Sequence, residues 1–310
     1  MPLNRKLAAL AAVVAVSSGV WLSAQTPQVF QFYVSATDAA GVPVTDLRPE
    51  DVVMTENGVK QKVVKVEPLS IPMKLTIAVD NGRASGDAIE YYRAGLKGLV
   101  DALPPALEVT LLATAPQPRT VVKPTTDHEQ LLRGIDAIAP DTGAPRFTDT
   151  LIEFTQRLQR EAKDSKAAPY LPVLVMLSTG VKDATTYQQK QVEQAIGFLA
   201  ARHARFNAIL ISTRAGDVAA AAALDGSLQG IVSVPAAKAT NGHYEKVTVP
   251  TLLPALMVAW GKELAELHTR QSTQFRVTVE RTKAGDLQSP RIELARPGLS
   301  GSVTIDGYLP

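Results

Sequence analysis

The chain has 310 residues, 45% of them hydrophobic and 20% charged, so it can bury a sizeable core and is not disordered throughout. It contains no cysteine, which removes disulfides, thiol catalysis and Cys-ligated zinc together. Lys+Arg 32 against Asp+Glu 30 gives a net charge of +2, and so neutral a chain has no general electrostatic reason to bind nucleic acid or an anionic membrane.

The first residues read as an export signal. Arg5 and Lys6 form a positive start, Leu7 to Leu22 is an uncharged apolar run, and Ser23 and Ala24 are small. Cleavage near Ala24 is expected, with the mature protein exported across the inner membrane to the periplasm or beyond it. The alternative is an uncleaved N-terminal anchor, for which the run is short, since a spanning helix needs about 20 apolar residues. No later segment approaches that length without charges, so no integral membrane span is expected in the mature chain. Without Arg5 and Lys6 the charges balance, 30 against 30.

From Val29 to Glu67 the chain reads as strands. Val29 to Val34 is aromatic and β-branched, Asp38 to Gly41 is a turn, and Asp51 to Thr55 is a second strand. Glu56-Asn57-Gly58 carries the Asn-Gly hairpin signal before Gln61 to Val66. From Met73 strands alternate with helices. Met73 to Val79, Leu107 to Thr114, Pro172 to Ser178 and Phe206 to Ser212 are apolar strands, with Gly230 to Val234 a last one. Thr120 to Lys123 follows its predecessor through a Pro-containing turn, so antiparallel pairing at a sheet edge is expected.

Helices are expected over Ser85 to Leu103, Thr186 to Ala204, Asp217 to Leu224 and Pro250 to His268. Thr126 to Glu129 and Thr150 to Glu153 have capping-box spacing at the starts of two more, the second running to about Lys163. Beyond Gln274 short β-segments return: Phe275 to Val279, Arg291 to Leu294 and Ser302 to Ile305. The expected fold is α/β, a doubly wound, mostly parallel six-stranded sheet with helices on both faces, plus a small β-unit from the two flanks. The expected divisions are 1–24 (signal), 25–70 (antiparallel β), 71–270 (α/β) and 271–310 (β).

No G-x-S-x-G elbow, P-loop or H-E-x-x-H occurs. Gly82 to Gly86 follows a strand but lacks phosphate-loop spacing. His128, His203, His243 and His268 are scattered and read as surface residues. Asp141, Asp149 and Asp183 read as loop aspartates that cap helices or form turns.

In an open parallel sheet, ligands sit beyond the carboxyl ends of the strands where strand order reverses. The first central strand ends at Asp80, and the Thr179-Gly180 turn is expected across that crevice, with the Asp141 to Thr148 loop reaching the same place. Asp80, the antiparallel edge strand in third place and the Leu177-Ser178-Thr179-Gly180 turn give Met73 to His268 a similarity to the von Willebrand factor type A domain. Asp38, Gly41, Pro43, Val44, Leu47, Asp51, Glu56 to Gly58 and Gln61, with Arg296 to Leu299 and Gly307-Tyr308, resemble the flanks of secreted bacterial proteins related to that family.

The resemblance implies a metal-ion-dependent adhesion site: D-x-S-x-S after the first strand, a Thr in a second loop, and an Asp after the fourth strand. Magnesium needs six oxygens in near-octahedral array. Here Asp80 matches the first Asp, while Gly82 and Ala84 stand at the two Ser positions. Pro145 falls at the Thr position, with Thr148 nearby, and Thr179 replaces the last Asp. Ser85 lies one residue late and reads as the cap of the Ile89 helix. Asp80 reads as an acceptor for backbone N–H groups. The expected function is therefore a non-enzymatic interaction module of the adhesion or scaffold kind, without a cofactor, for an unidentified protein or peptide partner. Its candidate contacts run over Asp80 to Arg83, Asp141 to Phe147, Thr179 to Asp183 and Arg214, with Arg83, Arg146, Phe147 and Arg214 suited to binding. The alternatives are a metal-dependent module with Asp183 or Asp141 as substitute carboxylate, and a hydrolase using Ser85 or Ser178 with a distant histidine.

Overall fold

A computed structural model describes residues 28–164, 166, 168–185, 187–212, 218–281 and 285–310. The expected signal segment 1–24, Thr186, Arg214 and Asp217 lie outside the described residues.

The N-terminal flank supplies strands β1 (Gln28–Thr37), β2 (Val52–Glu56) and β3 (Val59–Leu69). Next come β4 (Met73–Val79), helix α1 (Ile89–Ala102), β5 (Glu108–Ala113), β6 (Arg119–Thr125), α2 (His128–Asp136), α3 (Phe147–Glu161) and β7 (Leu171–Ser178). The chain continues through α4 (Gln189–Ala201), β8 (Arg205–Ile211), α5 (Val218–Gly226), α6 (Leu228–Ala239), β9 (Tyr244–Val247) and α7 (Leu253–Ser272). It ends with β10 (Gln274–Arg281), β11 (Pro290–Leu294) and β12 (Ser300–Thr304).

The central sheet has the order β6-β5-β4-β7-β8-β9. All its pairings are parallel except β5 with β6, the expected antiparallel edge. The strands are continuous apolar runs because alternate residues serve two cores. In β7, Val173, Val175 and Leu177 join Leu96 of α1, Leu131 of α2 and Met257 of α7, whereas Leu174 and Met176 join Leu151 of α3, Leu199 of α4 and Val232 of α6. Helices therefore cover both faces.

The flanks form a second, antiparallel sheet of order β11-β2-β3-β10-β1-β12. β10 from the C-terminal flank lies between β1 and β3 from the N-terminal one, with Phe32, Val34, Met54, Phe275 and Val277 in its core. The β2–β3 turn puts Asn57 at φ 50° and Gly58 at φ 78°, the left-handed pair a two-residue hairpin requires. Glu56 and Arg281 form a buried ion pair between the flanks, and Arg296 joins Asp51 and Asp46. The Asp38 carboxylate accepts the N–H groups of Ala40 and Val42, shaping the turn that ends at Gly41.

Several local expectations are corrected. Gly230 to Val234 is not a strand; it lies in α6, and β9 is the sixth strand of the central sheet. Ile231, Val232 and Val234 have strand propensity, but the Ser227 hydroxyl caps the helix by accepting from Gly230 N–H, and Val232 and Ala236 pack into the core one turn apart. Asp127, not Thr126, caps α2 by accepting from Gln130 N–H. Thr150 lies within α3, where its hydroxyl donates to Arg146 O, and Asp149 is in the same helix rather than a loop. His268 is buried, and its Nδ1 accepts the Met73 N–H. Among the described residues no helix is long and apolar enough to cross a membrane.

Candidate functional site

β4 delivers Asp80 to the carboxyl edge of the central sheet, where β5 lies on one side and β7 on the other. Its N–H donates to Leu177 O at 2.9 Å, while Thr114 N–H donates to Val79 O at 3.0 Å. The Asp80 side chain is buried. Oδ1 accepts the Gly82 N–H at 3.0 Å and Oδ2 accepts the Ser178 hydroxyl at 2.8 Å. Burial pushes the carboxyl above the ordinary aspartate range, and hydrogen bonds from Gly82, Ser85, Ser178 and the Thr179 backbone work against that rise. The Ser85 and Thr179 hydroxyls are 2.8 Å apart and bonded to each other. Ser85 is thus buried in the crevice and does not cap α1, which follows a 3-10 turn over Arg83–Ala88 and has no side-chain cap.

Asn81, expected only as part of the Asp80 to Arg83 contact segment, is buried and instead stitches the surrounding loops. Its Oδ1 accepts the Ala115 N–H, its Nδ2 donates to Ala139 O, and its carbonyl accepts the Asp141 N–H. The Arg83 N–H donates to Gly143 O. An amide following a strand-end aspartate has no periodic signature, so only the assembled loops reveal its role.

The third loop position is filled by a ring. A Cβ at Gly82 would lie 2.8 Å from Pro145 Cδ and 3.1 Å from both Gly143 O and Pro145 N. Both residues are buried, whereas Ala84 is exposed on the rim. Thr148 is buried in the first turn of α3, with no hydrogen bond to its hydroxyl among the described residues.

Of the two substitute carboxylates, Asp183 gives both oxygens, and Asp141 one, to loop backbone. Asp183 accepts the Phe147 N–H at 2.6 Å and the Thr185 N–H at 2.7 Å, closing the start of α3. Asp141 accepts the Gly143 N–H at 3.1 Å. The crevice thus gathers Asp80, Gly82, Ser85 and Thr179, with Pro145 against them. It leaves Ala84 on the rim, and Thr148 and Asp183 within or capping α3.

The expected contact residues divide in the same way. Arg83 is exposed on the rim. Phe147 is a core residue, 1% exposed, and offers no surface to a partner. Arg146 is half-buried, its Nε donating to Pro116 O and its Nη1 pairing with Asp149. For the hydrolase alternative, Ser85 is bonded to Thr179 and Ser178 to Asp80, and no histidine among the described residues bonds either hydroxyl.

No protein-family model and no curated protein matches this chain. Solved structures do. A von Willebrand factor type A protein from Catenulispora acidiphila aligns with a TM-score of 0.50 and 11% identity, covering 89% of this chain and 72% of that one. BatB from Bacteroides thetaiotaomicron aligns at 0.45 and 12% identity over 62% of this chain and 99% of that one. The von Willebrand factor domain of the type V pili tip protein Mfa5 from Porphyromonas gingivalis aligns at 0.45 and 12% identity, covering 63% and 96%. At such identities the likeness is one of fold, and the central unit has the von Willebrand factor type A fold.

Proposed function

On this fold, we propose, the chain is an exported, non-enzymatic interaction module that meets a protein or peptide partner through the loops at the carboxyl edge of its parallel sheet, without a divalent cation. The observation that carries the reading is how the Asp80 crevice is filled. Both Asp80 oxygens already accept hydrogen bonds, Gly82 supplies no side-chain oxygen, and the Pro145 ring takes the space such a side chain would need. One carboxylate and a bonded pair of hydroxyls do not fit the six-oxygen demand of magnesium. Asp183 already gives both its oxygens to loop N–H groups, and Asp141 gives its Oδ1 to Gly143 N–H, which supports the same reading.

Export is supported by the order of charge, apolar run and small residues in 1–24. The absence of a recognisable catalytic sequence motif supports a binding role, and Arg83 and Lys182 are exposed charges on the loop rim. The test is a thermal and calorimetric titration with magnesium, manganese and calcium, beside Asp80→Ala. A ligand at 100 times its Kd stabilises by about 2.7 kcal/mol, so binding would be plain. No metal-dependent stabilisation is expected. Stabilisation that vanishes in Asp80→Ala would refute the reading and restore a metal-dependent module with substitute ligands.

A further inference from the structure

The two faces of the β5–β6 edge are covered differently. On one face α2 packs Leu131 and Ile135 over Leu111 and Val122. On the other, Leu112 and Thr120, which pair across the two strands, floor an open groove of 390 Å³. α3 forms its far wall.

Three guanidiniums line this groove: Arg119 from β6, and Arg157 and Arg160 from consecutive turns of α3. Arg157 is held in place, its Nη2 donating to Thr76 Oγ1 at 2.9 Å and its guanidinium lying 5.1 Å from the Phe154 ring centre. The ion pairs of α3 run from Arg146 to Asp149 and from Arg157 to Glu161. Arg119 and Arg160 make none among the described residues. Glu153 is the one carboxylate among the lining residues. Desolvation, then the neighbouring Asp149, raises its carboxyl, against the lowering pull of Arg160. In a nearly neutral chain this is a local concentration of positive charge.

We propose that the groove binds a short acidic segment of a partner protein, with carboxylates flanking an apolar side chain. Arg119 and Arg160, which make no ion pair among the described residues, each present a planar fork that matches a carboxylate. Between the arginines the half-buried Leu112 and Pro118 give the groove apolar surface, which a simple anion leaves unused. The volume is that of a small-ligand site, roughly 300–1,000 Å³. Strand addition along β6 is blunted by Lys123 and by Pro124, which has no N–H to give, so the side chains in the groove carry recognition. The proposal rests on the interaction-module reading but places this contact on the side of the sheet rather than at its loop rim, so the two fail separately.

The test is fluorescence anisotropy on the purified protein with a fluorescein-labelled pentapeptide of alternating Glu and Leu. Its Gln–Leu counterpart and inorganic phosphate serve as competitors, and Arg83→Glu as the loop-rim control. Saturable binding is expected, at least tenfold weaker in the double variant Arg119→Glu with Arg160→Glu, unchanged in Arg83→Glu, and not displaced by the Gln–Leu peptide. Both arginines are exposed, so the variant should keep the parent's melting temperature. Absence of binding, or equal binding by the double variant, overturns the groove. Loss in Arg83→Glu alone overturns the groove while favouring the loop rim. Displacement of the probe by phosphate at equal strength overturns the acidic segment in favour of a simple anion.

Discussion

Gly82→Ala places one methyl group where the structure has no room for it. Gly82 has φ −62° and ψ 161°, which any residue adopts, so backbone strain adds nothing. The new Cβ would stand 2.8 Å from Pro145 Cδ and 3.1 Å from Gly143 O, where carbon pairs settle at about 3.5–4.0 Å. Overpacking at a rigid buried position costs about 1–3 kcal/mol, and the stiffer unfolded chain returns about 0.4–1 kcal/mol. The net expectation is a loss centred on about 1.3 kcal/mol and at most about 2.6 kcal/mol, read as a lower urea midpoint at unchanged m. Pro145→Ala removes Cδ, the nearest atom, so in that background Gly82→Ala should cost about 1 kcal/mol less, the Gly143 carbonyl still being close. Independent sites add to within about 0.3–0.5 kcal/mol, which sets the threshold for the double-mutant cycle. If Gly82→Ala matches the parent, or the coupling falls below that threshold, the two residues do not compete for space and the packing argument against a cation fails.

Cap chemistry gives a second expectation: Asp127→Ala should cost about 1 kcal/mol in thermal or urea unfolding, whereas Thr126→Ala should stay within about 0.5 kcal/mol. A third concerns Asp80. Its folded carboxyl is raised above 3.8, so from that pH up to the raised value the folded state binds more protons and stability falls as pH rises. Asp80→Asn should flatten that slope in urea midpoints measured against pH, and a slope that survives would assign it to another group. His268 gives the opposite sign. Burial holds it below 6.5, and its Nδ1 must be unprotonated to accept the Met73 N–H. The unfolded chain therefore takes the proton first, stability falls as pH drops through 6.5, and His268→Gln should remove that part of the profile.

Much of the architecture was legible because period and composition report burial directly. Met73 to Val79 matches β4 end for end, since a strand with helices on both faces is mostly apolar, here at five of seven positions. The Asn57-Gly58 hairpin and the antiparallel edge at β6 were legible for the same local reasons. Gly230 to Val234 was not, because β-branched residues prefer strands only weakly, and packing against the sheet overrode them in α6.

At the crevice, the sequence by itself determined which oxygens exist: a carboxylate at Asp80, hydroxyls at Ser85 and Thr179, and none at Gly82, Ala84 or Pro145. The tertiary structure decided where each side chain is committed. It turned Asp183 onto the start of α3, buried Phe147, drew Ser85 away from capping and set the Pro145 ring against Gly82. Those commitments arise between loops 30 to 100 residues apart, such as Asn81 with Ala115 and Ser178 with Asp80. Hydrogen-bond partners at that separation leave no periodicity in the chain. They follow from which strands lie side by side, and that is settled only when the two cores pack.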